Sequence, residues 1–253
     1  MADTVLAAYI DAFVRRARAT GSDDTVIDDP GLVGARRAGG ERLSLLVTDD
    51  RELERLRALL GTAQRGVIRV LPAAERVEKL LDEERRWSTK QVTAMVCDDL
   101  ATIQSVTLPG DLALAEIANG PDSPSDRVDL IAATTLAVDA DPAAAGVSAA
   151  EMAADFREMR PEPGLLAAVD VLGAVRATGG FRVFGPDASV FFINTQRGWR
   201  RRGVGRAMTE TALHRARLAG AVRACVDASE AGVSIYRSLG FQTAGPVAQF
   251  FTR

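Results

Sequence analysis

The chain is short of the residues from which metal centres and covalent nucleophile sites are usually built. Its 253 residues include two cysteines, Cys97 and Cys225, and a single histidine, His214. Both cysteines lie in apolar runs that read as strands, and their separation fits neither a metal-ligand pattern nor a disulfide framework. No metal site is expected, and a reducing, cytoplasmic setting is. No apolar stretch approaches the ~20 residues that a helix needs to cross a bilayer, and the first helix, read over Asp3–Ala19, is too polar for a signal peptide. Lysine is also scarce, with Lys79 and Lys90 alone, so arginine carries the basic charge. Thirty-one basic against 34 acidic side chains leave a formal charge of −3, which offers no global attraction to nucleic acid or membrane. Apolar residues are plentiful at 47%, with 26% charged, enough core for one large domain or two ordinary ones.

The N-terminal part, residues 1–105, reads as a helix followed by an α/β alternation. Leu6, Tyr9, Ile10, Phe13 and Ala17 form a helical stripe. Residues 22–41, rich in Asp, Gly and Arg, read as loop. Leu43–Val47 reads as a strand, and Asp49-Asp-Arg-Glu52 resembles a capping box opening a helix with Leu53, Leu56 and Leu60 on one face. A strand over Val67–Leu71, a helix over Ala73–Glu84 and a strand over Val92–Cys97 follow. Leu-Pro109-Gly110-Asp places the domain boundary, giving an N-terminal α/β domain at 1–105 and a second domain at 106–253.

In the second domain Leu112–Ile117 reads as a strand, Pro121–Pro124 as a loop and Arg127–Val138 as a helix. Ser148-Ala-Ala-Glu151 opens another helix that ends before Pro161. Leu165–Val169, Ala174–Phe184 and Ser189–Thr195, joined by turns at Asp170–Gly173 and Gly185-Pro-Asp187, read as a three-stranded antiparallel meander. A helix follows Gly205, then a strand over Val222–Val226, a helix over Glu230–Leu239 and an extended segment over Phe241–Phe251.

Two motifs carry chemistry. Arg200-x-x-Gly203-x-Gly205 lies at a strand-to-helix junction, and Tyr236-Arg-Ser-Leu-Gly240-Phe241 follows on a short helix. The first amides of a helix have no intrahelical partner, and its dipole favours anions there. Gly203 and Gly205 let the backbone approach phosphates without a Cβ in the way, and Arg201, Arg202 and Arg206 add charge that suits a pyrophosphate or a 3′-phosphate. Taken alone, a lone G-x-G beside clustered arginines also describes a solvated helix end, and Tyr236 alone also describes a core aromatic.

In this order and at this distance the two motifs resemble the GNAT superfamily of N-acyltransferases. The likeness runs from about Leu112 to Arg253. It implies an α/β (α+β) fold with a mixed, mostly antiparallel central sheet flanked by helices, beside the additional N-terminal α/β domain. It also implies acetyl-CoA as co-substrate, transferred to a primary amine by direct attack in a ternary complex. Carried onto this chain, the resemblance gives the pyrophosphate to the stretch Arg200, Arg201, Arg202, Gly203, Val204, Gly205 and Arg206. It gives the pantetheine arm to the strand end Ile193, Asn194 and Thr195, and it makes Tyr236 the general acid that protonates the leaving thiolate. Ser229 stands where the family often has asparagine, and also suits the N-cap of the last helix.

A general base does not transfer. Asp170 reads as a turn residue, Asp227 as the cap of the next helix, His214 as solvent-facing, and Cys225 as interior, which disfavours an acyl-cysteine route. The acceptor is a small-molecule or peptide amine. Alternative readings are a longer acyl-CoA donor, a non-catalytic acyl-CoA-binding regulator, and an aminoacyl-tRNA donor, for which Arg197 and Arg200–Arg202 would contact RNA. The −3 charge argues against nucleic acid, though tRNA as donor is not excluded. The N-terminal half carries neither motif, so one coenzyme A site is expected. That half reads either as a degenerate copy of the same fold or as an auxiliary domain that covers the substrate side or forms a homodimer contact.

Overall fold

A computed structural model of the chain describes residues 2–19, 21, 23–37, 40, 42–117, 149–158 and 163–252. The loop at Pro121–Pro124, the helix read over Arg127–Val138 and the capping residue Ser148 lie outside them. Contacts divide the chain into two compact units, Met1–Val96 with Asp227–Arg253, and Cys97–Val226. This grouping differs from the linear division at 105/106, because the last strand pairs with strands of the first unit.

In the first unit, helix α1 (Ala2–Arg18) precedes strands β1 (Thr25–Asp29), β2 (Leu32–Arg36) and β3 (Arg42–Val47). Helix α2 (Leu53–Leu60), β4 (Arg65–Val70), α3 (Glu75–Glu83) and β5 (Trp87–Cys97) follow. The C-terminal segment adds helix α6 (Glu230–Ser238) and β11 (Gln242–Thr252). The strand order is β1-β2-β3-β4-β11-β5. All these pairs are antiparallel except β3 with β4. Ile27, Leu45, Leu56, Ile68, Leu81 and Phe250 are almost completely buried in its core.

Three expectations for this unit need correction. Residues 22–41 are not simply loop but include the β1–β2 hairpin, turning at Pro30-Gly31 with Gly31 at φ 91°. β1 lies at the sheet edge and buries only Ile27, so its other positions are free to be polar and hide the strand pattern. Asp49-Asp-Arg-Glu52 does not form a capping box either, since Glu52 is the N-cap of α2 and no side chain caps it. Asp49 turns back to the amide and guanidinium of Arg51. Asp50 instead accepts the amides of Arg76 (3.2 Å) and Val77 (3.0 Å), capping α3, whose own N-cap residue is Ala74. The buried face of α1 is Val5, Tyr9, Ala12, Phe13 and Ala17, with Leu6 and Ile10 only half-buried.

The second unit contains β6 (Ala113–Ile117), α4 (Ala149–Glu158), β7 (Gly164–Val169), β8 (Val175–Phe184) and β9 (Asp187–Thr195). A 3₁₀ turn at Arg197–Trp199 leads into α5 (Val204–Leu218) and β10 (Arg223–Ala228), whose last two residues belong to the first unit. The order is β10-β9-β8-β7-β6. The meander β7–β8–β9 and the β6–β7 pair are antiparallel, and β10 runs parallel to β9. Asp170 performs the expected turn role. Its carboxylate accepts the amides of Leu172 and Ala174, both at 2.9 Å. Met152, Phe156 and Leu165 anchor the core beneath α4.

An antiparallel meander, a helix, a strand parallel to the last of the three, and another helix occur in both halves, as β1–β2–β3–α2–β4–α3 and as β7–β8–β9–α5–β10–α6. The chain therefore contains the same supersecondary series twice.

Candidate functional site

The stretch from the second half of β9 to the start of α5 concentrates backbone strain. Among the described residues only Phe192 (φ 51°) and Arg201 (φ 62°) are non-glycine residues at positive φ, and both lie here. Strain of this kind costs ~1–3 kcal/mol per residue and tends to cluster at functional sites. Gly203, the N-cap of α5, is also left-handed at φ 81°. A Cβ there would meet nothing closer than Pro109 Cγ at 3.5 Å, so conformation rather than crowding calls for glycine. Left-handed residues recur in the backbone turns that bind anions. The first helical bond runs from Ala207 N–H to the Gly203 carbonyl at 3.0 Å, so the amides of residues 204–206 precede the ladder at the positive end of the helix. Arg197, Arg200, Arg201, Arg202 and Arg206 lie close to this end in sequence, and residues 196–209 include no acidic side chain.

The approach to this turn is fixed from β8. Arg176 donates to Asp170 Oδ2 (2.7 Å) and Gln196 Oε1 (3.0 Å), and its carbonyl accepts the Gln196 amide at 2.9 Å. The Ala174 amide first, and Arg176 next, hold the Asp170 carboxyl below the usual range. The Trp199 ring lies under two guanidinium groups, those of Arg202 (5.2 Å) and Arg176 (5.8 Å). Arg200 Nε donates to the Thr195 carbonyl at 3.0 Å, which ties the turn to the end of β9. Arg206 is engaged by Glu210, one turn along α5, at 3.1 Å.

Ile193, Asn194 and Thr195 form that strand end. The pairing of β10 with β9 runs to Cys225↔Ser189, while β9 continues to Thr195 alongside β8. Its register passes from Gly180↔Phe191 to Thr178↔Asn194, so Phe192 and Ile193 bulge opposite the single Gly179. The two glycines leave room for the neighbouring side chains. A Cβ on Gly179 would come within 2.8 Å of Ile193 Cδ1, and one on Gly180 within 2.5 Å of the Phe191 ring.

Tyr236 and Ser229 belong to the first compact unit. Tyr236 is 7% exposed, edge-on to Phe241 with ring centroids 5.3 Å apart. Gly232, one turn earlier in α6, makes room for its ring, since a Cβ there would lie 3.2 Å from Tyr236 Cε2. Gly240 (φ 88°) ends α6 in the expected left-handed turn. The Phe241 amide bonds to the Tyr236 carbonyl at 3.1 Å and the Gly240 amide to the Arg237 carbonyl at 3.1 Å, the paired bonds of a Schellman motif. Ser229 occupies the N-cap position of α6, but its side chain makes no capping bond.

Asp227 does not cap α6, contrary to expectation. Its carboxylate accepts Tyr9 Oη at 2.6 Å and Arg69 Nε at 2.5 Å, with Gln249 Nε2 at 3.5 Å. Burial alone would raise the Asp227 carboxyl; Arg69, helped by the Tyr9 hydroxyl, outweighs it and holds the group below the usual range. Burial, then the charge of Asp227, pushes the Tyr9 phenol well above its ordinary value. Three donors and a lowered pKa make Asp227 a poor base. His214 is half-buried on α5, its pKa lowered by burial and then by Arg217 and Arg215. Cys225 is buried with Sγ 3.5 Å from the Ala188 carbonyl, as its place inside a strand implied. Among the described residues no group of three or more His, Cys, Asp or Glu could hold a metal ion, and no helix is long and apolar enough to cross a membrane.

Residues 171–250 match the family model described as an acetyltransferase (GNAT) domain. The likeness to a GNAT acetyltransferase domain thus falls on residues 171–250. Its fold is similar to that of a GCN5-related N-acetyltransferase from Kribbella flavida, at TM-score 0.61 and 17% identity over 100% of this chain and 95% of that one. It is also similar to a GCN5-related N-acetyltransferase from Sphaerobacter thermophilus, at TM-score 0.53 and 13% identity over 99% and 92%. A tandem GNAT protein from the clavulanic acid biosynthesis pathway aligns at TM-score 0.55 and 14% identity, over 99% of this chain and 95% of that one. No curated protein matches. The GNAT fold with more than one GNAT-like region agrees with the repeated supersecondary series described above.

Proposed function

We propose that the chain is an acetyl-CoA-dependent N-acetyltransferase that acts on a primary amine of a small molecule or peptide in the cytoplasm. The observation that carries this reading is the left-handed turn at Arg201 and Gly203, which opens α5 in a stretch with five arginines, of which Arg206 is paired with Glu210. A pyrophosphate suits that turn, because amides, helix dipole and guanidinium groups all favour negative charge. We assign the cofactor site to the 106–253 domain, with Arg200–Arg206 holding the phosphates, Ile193–Thr195 beside the pantetheine arm and Ser229 as a further contact.

The first unit has a different charge pattern at its corresponding strand-to-helix junction. Between β3 and α2 stand Asp49, Asp50 and Glu52, which oppose an anion. This supports one cofactor site per chain.

Acetyl-CoA, when bound, supplies a thioester whose carbonyl is open to an amine. The residues of the chain then have two tasks. Backbone amides at Ile193–Thr195 donate to the carbonyl oxygen, where negative charge develops. As the amine nitrogen bonds to the carbonyl carbon and the C–S bond breaks, Tyr236, protonated at neutral pH with a reference pKa of ~10, would give its hydroxyl proton to the departing sulfur, and the proton lost by the nitrogen would pass through solvent and restore the phenol. Incubating the protein with acetyl-CoA and a panel of primary amines, while following thiol release, tests the reading. Turnover with at least one amine supports it. Thiol release at the same rate with and without amines would count against an amine acceptor.

A further inference from the structure

Phe192 combines two unfavourable features. Its backbone is left-handed at φ 51°, and its side chain is 40% exposed in a strand whose neighbouring apolar residues are more covered. Neither feature comes from looseness. The Phe192 ring stands edge-on to Phe191 (5.6 Å) and to Phe156 (5.7 Å), and Phe156 is 1% exposed on α4. The Phe192 carbonyl accepts Thr178 Oγ1 at 3.3 Å, so the bulge is closed by a hydrogen bond. Gly179 and Gly180 admit Ile193 and Phe191 beneath it. The result is a rigid, half-covered aromatic surface, which binds apolar groups with little ordering cost. It directly precedes Ile193, whose amide is among those assigned to the thioester carbonyl.

We propose that Phe192 is a specificity-determining residue that packs against an apolar group next to the reacting carbonyl; this rests on the coenzyme A thioester site proposed above, and its donor branch would replace acetyl by a longer acyl group. That group is either an acyl chain longer than acetyl or the hydrocarbon side chain of the amine, since both reactants meet at the same carbon. Phe191 and Phe156 orient the ring and Phe192 makes the contact.

Two series of measurements on the full chain distinguish the sources. The first is calorimetric titration with coenzyme A, acetyl-CoA, butyryl-CoA and hexanoyl-CoA. The second is thiol release with ethanolamine, glycinamide, hexylamine and phenethylamine. Each is run on wild type, Phe192→Ala and Phe192→Leu, with circular dichroism to establish folding. One series should gain about fourfold per buried methylene, in affinity for the acyl series or in kcat/KM for the amines. Phe192→Ala should lose that gain and Phe192→Leu largely keep it, with affinity for coenzyme A itself within about twofold in both. A gain along the acyl series assigns the surface to the donor, and one along the amines to the acceptor. If coenzyme A binds but neither series shows a gain, or Phe192→Ala retains it, the proposal is overturned alone. If coenzyme A does not bind the folded wild type, the acyl-CoA reading fails and this assignment with it.

Discussion

Replacing Asp227 with Asn should destabilise the protein far more than an ordinary surface change. The carboxylate accepts Tyr9 Oη at 2.6 Å and Arg69 Nε at 2.5 Å, and the Arg69 and Asp227 side chains are only 12% and 16% exposed. Solvent therefore screens the pair weakly. Asparagine keeps the shape but leaves the Arg69 guanidinium buried without its counter-charge, a loss usually of ~3–5 kcal/mol. The residual exposure and the remaining amide oxygen favour the lower end, about 3 kcal/mol, or roughly 6–12 °C in Tm for a chain of this length. Thermal and urea unfolding followed by circular dichroism measure it. Replacing both partners, Asp227→Leu with Arg69→Met, should recover much of the loss, because no unpaired charge remains. The pH dependence has a defined sign. Because the folded carboxyl titrates below its unfolded value of ~3.9, its contribution is present above that pH and disappears as the pH falls through the folded value. Wild type and variant should therefore converge on acidification. A Asp227→Asn variant within ~0.5 kcal/mol of wild type at neutral pH would refute the reasoning.

Three other outcomes are expected. Asp50→Ala should cost about 1 kcal/mol by uncapping α3, measurable by urea unfolding, while the Asp49→Ala change leaves that cap intact. Tyr236→Phe should lower kcat by ~10²–10⁴-fold without weakening acetyl-CoA, since the ring packing on Phe241 needs no hydroxyl; an unchanged rate across the pH range would exclude Tyr236 as the acid. Tyr236→Phe also leaves Tyr9 as the sole tyrosine, so an ultraviolet alkaline titration reads that phenol directly. It should titrate well above ~10, the stabilisation being present below that pH and lost as the pH rises through the raised value; titration at the free-phenol value would contradict the buried bond to Asp227.

The meander β7–β8–β9 was legible because its turns follow local chemistry: Asp170 bonds the amides of its own turn, and Gly185 takes positive φ. The end of α6 was legible for the same reason, through Gly240 and Phe241. Contacts between distant segments left no local pattern. Asp227 meets Tyr9 across 218 residues and Arg69 across 158, so nothing beside Asp227 distinguishes it from a helix cap. Asp50 likewise caps a helix 26 residues ahead rather than the one that follows it. The polar β1–β2 hairpin was concealed because an edge strand buries so little. A signal for the bulge at Phe192 was present in Gly179-Gly180, since adjacent glycines inside a strand mark a bulge or a close approach. The cradle motif was readable from Arg200 to Gly205, whereas the left-handed Arg201 and the guanidinium stack on Trp199 needed coordinates.

The most direct test of the central claim is calorimetric titration of acetyl-CoA into wild type and Gly203→Asp. Aspartate tolerates the left-handed conformation better than most residues and the position has space for a Cβ, so the variant should still fold, with a melting temperature lowered by about 2–8 °C for ~1–2 kcal/mol of backbone strain. Its carboxylate would stand at the turn proposed to hold the pyrophosphate, and like charges in contact cost several kcal/mol, so affinity should fall by about 100-fold or more. Binding by wild type and its loss in a folded Gly203→Asp variant is the predicted result. Equal binding by both proteins, or none by a folded wild type, would contradict the cradle.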